Sequence, residues 1–178
     1  MTAIMNESDV AEALAHMADA ICHDLQDQTK LMIVGVATGG VHLAKRLQEE
    51  IKERTGALAP CGSVDITLYR DDLFEGLTKP VVGTTRLPES IEGKEVLLVD
   101  DVLFTGRTVR SALVELMDYG RPRRIRLAVL IDRGHREIPI QPDYVGRVLS
   151  TSRSETVEVN LREMGSREDH VASVRWSA

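Results

Sequence analysis

The sequence predicts an α/β fold built on a mostly parallel central sheet, and three observations carry that expectation. Short continuous apolar runs at 31–36, 96–99 and 125–131 read as strands buried on both faces. Between them, apolar residues recur at helical spacing: Ala44, Leu47 and Ile51 in one stretch, Val109, Ala112, Leu113, Leu116 and Met117 in another. Each of the first two runs leads to its helix through a loop of small or hydroxylated residues, Ala37-Thr38-Gly39-Gly40 in the first case and Thr105, Gly106 and Thr108 in the second. With 178 residues, 43% hydrophobic and 28% charged, the chain suits one domain, 1–178, with a sizeable core.

In chain order, Val10, Leu14, Met17, Ile21 and Leu25 form one stripe of an amphipathic helix from Asp9 to Leu25. The run 31–36 is the first buried strand, and the helix after its glycine loop extends from Val41 to Arg54, ended by Gly56. Val64, Ile66 and Leu68 alternate with Asp65, Thr67 and Tyr69, predicting a strand with two unlike faces. The polar stretch from Arg70-Asp71-Asp72 to Lys79-Pro80 has two readings, a flexible lid over 70–80 or a solvated hairpin. Val81 to Thr85 is a short strand, and Glu92-Gly93-Lys94 turns the chain back. Beyond the central helix, Arg121, Arg123, Arg124 and Arg126 flank the run 125–131, which ends in Asp132-Arg133-Gly134-His135-Arg136. Pro139 and Pro142 interrupt the chain before Tyr144-Val145-Gly146, and Val157, Val159 and Leu161 alternate through a last strand. Arg162 to Ala178 reads as a charged tail with no predicted element.

Composition narrows the function classes. No apolar run approaches membrane-spanning length, and Met1 to Ser8 lacks the apolar centre of a signal peptide. Cys22 and Cys61 match no metal or redox spacing, so a cytoplasmic, reduced chain is expected, without a membrane partner. A net charge of -6 argues against a uniformly basic nucleic-acid binder. The arginines from Arg121 to Arg136 read equally as a local basic patch or as surface charges and site residues.

The segment Val96 to Val109 concentrates the chemistry. Asp100 and Asp101 stand where the strand should end, and the loop beyond them opens a helix. Unpaired N–H groups and the positive dipole at a helix N-terminus bind phosphate without a dedicated lysine. The acids beside it can accept hydrogen bonds from a ribose diol or help to hold magnesium. Acid beside an anion site suits a sugar phosphate. The competing reading is a pair of solvated charges and an ordinary turn. Neither a Ser-His-Asp nor a Cys-His constellation is evident.

Strand, acidic pair, hydroxyl loop and helix, in that order, resemble the 5-phosphoribosyl-1-pyrophosphate (PRPP) loop of type I phosphoribosyltransferases. Four collinear segments are similar to the PyrR family, pyrimidine-operon attenuation regulators that are also uracil phosphoribosyltransferases: Asp65 to Asp72, Val96 to Thr108, Gly120-Arg121-Pro122, and Asp132 to Glu137 with Asp143 to Gly146. The resemblance implies a type I phosphoribosyltransferase fold, a central mostly parallel sheet flanked by helices with a small hood. It implies uracil, PRPP and UMP as ligands, Mg2+ as cofactor, RNA as a second partner, and a homo-oligomer. Carried over by position, the PRPP site comprises Val96-Leu97-Leu98-Val99, Asp100 and Asp101, and Val102-Leu103-Phe104-Thr105-Gly106-Arg107-Thr108. Asp100 and Asp101 would hold the ribose hydroxyls and, with PRPP oxygens, the metal; together with Arg70 of the lid they are the expected catalytic residues. Thr38 and Gly39 would contact pyrophosphate. Asp132, Arg133, Tyr144 and Val145 would face the pyrimidine, the aromatic ring packing on the base. His135 reads as a base contact or a strand-end hydrogen bonder. Two departures stand out: the family usually has Thr-Arg-Gly where this chain has Thr38-Gly39-Gly40, a pair also found in purine salvage enzymes. The first helix offers His16 as its one RNA-contacting residue type and adds Asp19. A regulator with a decayed transferase site and a purine phosphoribosyltransferase are the competing functions.

Overall fold

A computed structural model describes residues 2–25, 27–66 and 84–175. Its elements in order are β1 (Thr2–Met5), α1 (Glu7–Asp24), β2 (Leu31–Val36), α2 (Gly39–Thr55), β3 (Cys61–Val64), β4 (Glu95–Leu103), α3 (Arg107–Met117), β5 (Arg124–Asp132), β6 (Tyr144–Val148), β7 (Glu155–Asn160) and β8 (His170–Arg175). Strands β3-β2-β4-β5-β6 form one sheet, every pair parallel, as the buried apolar runs predict. The period of two along β4 divides the core. Leu97 and Val99 join the cluster under α1 and α2, while Val96 and Leu98 join the cluster under α3.

Local chemistry sets the helix ends. Asn6 accepts from the Asp9 N–H (3.0 Å) and Asp9 accepts from the Asn6 N–H (2.9 Å), so the first helix starts two residues before the expected Asp9. Gly56, with φ 73°, ends α2 as expected. α2 itself begins at Gly39, inside the predicted loop. Gly35 lets it lie close: a Cβ there would stand 2.5 Å from Val41 Cα.

Two expectations are revised. Of the strand expected from Val64 to Leu68, Asp65 and Ile66 lie outside the sheet: β3 runs over Cys61–Val64, because its register with β2 ends where Val36 pairs with Val64, and 67–69 lie outside the described residues. The final segment is more than a tail. β8 lies between β1 and β7 in a separate antiparallel sheet whose Val157, Val159 and Val171 pack into the cluster under α1 and α2. A one-turn 3-10 helix, Arg162–Met164, connects β7 to β8. The predicted lid 70–80, with Arg70, and most of the strand Val81 to Thr85 lie outside the described residues.

Candidate active site

Beyond the carboxyl ends of β2 and β4 lies a cavity of about 280 Å³, lined by Ala37, Thr38, Gly39, Ile66, Asp100, Asp101, Val102, Thr108 and Met164. Ligands of open α/β sheets gather at this end of the strands. Two helices begin here. α2 starts at Gly39 behind Thr38 with no side-chain cap, and α3 starts at Arg107 behind Gly106, where the Arg107 N–H donates to Thr105 Oγ1 (3.4 Å). The positive ends of both helix dipoles serve one space, suited to a ligand with two separate anionic groups.

The acidic pair sits between them. Asp100 is 5% exposed; its Oδ1 accepts from the Asp101 N–H (2.9 Å), while Oδ2 is buried with no hydrogen-bond partner among the described residues. Asp101 Oδ1 accepts from the Val102 N–H (2.8 Å). Burial, and then the charge of Asp101, hold the Asp100 carboxyl well above the ordinary carboxylate range. Burial raises Asp101 as well. An orphaned buried carboxylate oxygen beside a second acid is costly in the empty fold and becomes useful when hydroxyls or a cation arrive. Among the described residues no group of three His, Cys, Asp or Glu side chains could hold a metal. Two carboxylates alone fit magnesium, which takes its remaining oxygens from substrate and water.

Glycines bring the helices onto the acids. A Cβ on Gly39 would stand 2.8 Å from Asp101 Cγ, and one on Gly40 would overlap the Val99 carbonyl and lie 3.1 Å from Asp100 Cα. The Gly39-Gly40 departure from the family pattern thus has a local use: α2 begins in contact with the carboxylate of Asp101. Gly106 answers a different need. Its φ is 92°, a conformation that side chains rarely adopt, while a Cβ would meet Ile138 at an ordinary 3.5 Å.

The expected base-facing residues divide. Asp132, at the end of β5, accepts from Arg136 Nη2 (2.6 Å) and the Gly134 N–H (2.9 Å); the Arg136 hydrogen bond and charge help to hold it below the usual range, against its burial. Arg136 also donates to the Phe104 carbonyl (3.0 Å) and the Ile140 carbonyl (2.9 Å), tying this segment to the loop before α3. Thr105 O accepts from the N–H groups of Glu137 and Ile138. Arg133 is not brought to the cavity as a ligand-facing cation. It is 5% exposed, lies 4.1 Å over the Phe104 ring, and donates to the carbonyls of Ser152 (3.0 Å) and Glu155 and to Thr151 Oγ1. Tyr144 is also turned away. Its ring lies in the core under α1, and its hydroxyl meets Arg126 and Asp24 beside the first residues of β2 and β4. Alternation explains the split, because Val145 faces the α3 side with Ile140. His135 takes the strand-end reading, with Nε2–H donating to the Thr151 carbonyl (2.6 Å).

The structure brings together Thr38, Gly39, Asp100, Asp101, Val102 and Thr108, and adds Ala37, Ile66 and Met164, which sequence reasoning missed. Ile66 belongs to the alternating stretch that begins at Val64. Met164 had no signal, being one methionine in a charged stretch. Of the PRPP segment, Val96, Leu97, Leu98, Val99 and Leu103 are core side chains that support the site from below.

The family model for the phosphoribosyl transferase domain matches residues 2–163. A bifunctional protein PyrR from a Geobacter species is 54% identical over 158 residues, covering 89% of each chain. Another, from Brevibacillus brevis, is 50% identical over 161 residues and covers 90% of each chain. A hypoxanthine phosphoribosyltransferase structure from Trypanosoma cruzi superposes with a TM-score of 0.72 over 98% of this chain and 97% of its own, at 17% identity. That last likeness concerns the fold.

Proposed function

Because this chain belongs to the PyrR family and has the type I phosphoribosyltransferase fold, we propose that it is a uracil phosphoribosyltransferase that makes UMP and pyrophosphate from uracil and PRPP. One observation carries the reading: the buried oxygen of Asp100, unpartnered among the described residues, in a cavity onto which two helix N-termini open. PRPP has what those groups lack, a phosphate, a ribose diol and a pyrophosphate along one molecule.

The 5-phosphate sits on the first N–H groups of α3, with the Thr105 and Thr108 hydroxyls as further donors. The ribose hydroxyls donate to Asp100 and Asp101. Pyrophosphate lies over Thr38 and Gly39 at the head of α2, held by main chain because no side chain stands at position 39. Magnesium, when bound through Asp100, Asp101 and PRPP oxygens, neutralises the departing pyrophosphate. A bond forms between uracil N1 and the anomeric carbon, the bond to pyrophosphate oxygen breaks, and the N1 proton leaves to solvent. The two carboxylates face the positive charge that grows on the ribosyl ring, and alignment of base, sugar and leaving group supplies most of the rate. The base lies toward the end of β5 and the Val145 side, where the Asp132 carboxylate is held by Arg136.

The test is turnover. Protein with PRPP, magnesium and uracil should release pyrophosphate, with no release from hypoxanthine or guanine; turnover with a purine alone would replace this reading by the purine one. A second role, nucleotide-dependent binding to pyrimidine-gene mRNA, is favoured by the word bifunctional in the relatives' names. Filter binding to a pyrimidine-operon leader RNA, with and without UMP at low salt, should show UMP-dependent retention; no retention at any salt would remove that role.

A further inference from the structure

We propose that Arg46 is a positioning residue for the transfer site: it holds Met164 as the cavity wall facing Gly39 and Asp101, and that wall keeps water from the reacting sugar. The inference rests on the proposed transfer reaction. Arg46 lies on α2, two turns beyond Gly39. Its guanidinium is shared by two carboxylates. Nε and Nη2 donate to Glu163 (2.8 and 2.5 Å), while Nη1 and Nη2 donate to Asp169 (2.5 and 3.0 Å). Asp169, 8% exposed at its side chain, also accepts from the Arg162 N–H (2.9 Å).

Both ends of 162–169 are therefore fastened to one cation, and Met164 lies between them. Met164 lines the cavity although it is 46% exposed, so it stands at the cavity's edge. The helix whose N-terminus lines the cavity at Gly39 thus also carries the anchor of the segment that brings Met164 to the same cavity, so one element places both. A lysine, with its single point charge, cannot reproduce the two planar forks. A further tie of this segment, Arg162 on Glu7, leads to α1 and not to the cavity.

Water that reaches the anomeric carbon turns PRPP into ribose 5-phosphate and pyrophosphate, so a loosened wall releases pyrophosphate without UMP. The experiment measures both products, and the PRPP KM and kcat, for wild type, R46K, R46M and M164A with uracil and magnesium. Wild type should give the two products one to one. R46M should release pyrophosphate in excess of UMP and raise the KM for PRPP about tenfold, on the scale of a lost supporting contact; R46K should recover part of both. M164A should show the excess with an unchanged melting temperature. Should R46M fail to fold, E163Q, which loosens the more exposed half of the anchor, takes its place beside M164A. A one-to-one ratio and unchanged KM in these variants, whatever their stability, overturns the inference alone. Wild-type protein that makes no UMP overturns the transfer reading and this inference with it.

Discussion

Replacing Asp100 by asparagine should stabilise the ligand-free protein while abolishing its use of PRPP. Asp100 Oδ1 accepts from the Asp101 N–H, and the asparagine carbonyl can keep that bond. Oδ2 has no partner among the described residues, so the substitution exchanges an orphaned acceptor for an orphaned donor, and these two costs, each about 1–3 kcal/mol, nearly cancel. What remains is the loss of a charge that is buried and faces a second carboxylate. Relieving it is worth about 1–2 kcal/mol, in the range found when buried charge is replaced by neutral groups. For a chain of this size that is roughly 2–8 °C in melting temperature. The sign has a pH signature. Burial and the Asp101 charge raise the folded-state pKa of Asp100 above the unfolded value of about 3.9. The wild type therefore carries no penalty below that value and acquires it as pH rises through the folded pKa. Calorimetric scans at pH 8 and pH 4 should show D100N ahead at the first and level with wild type at the second. Added PRPP with magnesium should raise the melting temperature of the wild type only. A D100N protein less stable than wild type at pH 8, or one still protected by PRPP, would refute the reasoning.

Three further outcomes follow from the same geometry. Hydrogen bonds from Arg46 hold Asp169 below its ordinary pKa, so the stability it contributes is present above about pH 3.9 and lost as pH falls through the lower folded value. Urea midpoints from pH 7 to pH 2 should fall more steeply below pH 4 for wild type than for D169N, and parallel curves would contradict this. Gly106→Ala should cost about 1 kcal/mol or more in urea unfolding, from the backbone at φ 92°, and weaken PRPP binding because the loop shifts. Unchanged affinity would place the phosphate elsewhere. Tyr144→Phe should lose about 1 kcal/mol of stability, the value of a buried hydroxyl's hydrogen bonds, with the uracil KM unchanged. A raised KM would bring the Tyr144 hydroxyl back to the base site.

What the sequence made legible was local. The strand, acidic pair, loop and helix from Val96 to Met117 are continuous in the chain, and each step has its own signal: an apolar run, then acids, then glycine and hydroxyls, then helical spacing. The contacts that escaped are long-range. β8 has a mixed polar sequence and gains its identity by pairing with β1 at the other end of the chain, Ala3 opposite Ala172. Arg133 at a strand end looks like a ligand-facing cation, and only the fold reveals the carbonyls of 152 and 155 that consume it. Tyr144 and Val145 are neighbours in sequence, but a strand's period of two sends them to opposite faces. Gly39 read as a lost arginine; in three dimensions its bare Cα is what admits Asp101.

The central claim is that the cavity between the heads of α2 and α3 takes PRPP through Asp100 and Asp101. Isothermal titration of PRPP with magnesium into wild type and into the D100A/D101A double variant tests it most directly. Saturable one-site binding by the wild type, lost in the double variant while that protein remains folded by circular dichroism, is the expected result. Undiminished binding by a folded double variant would contradict the account.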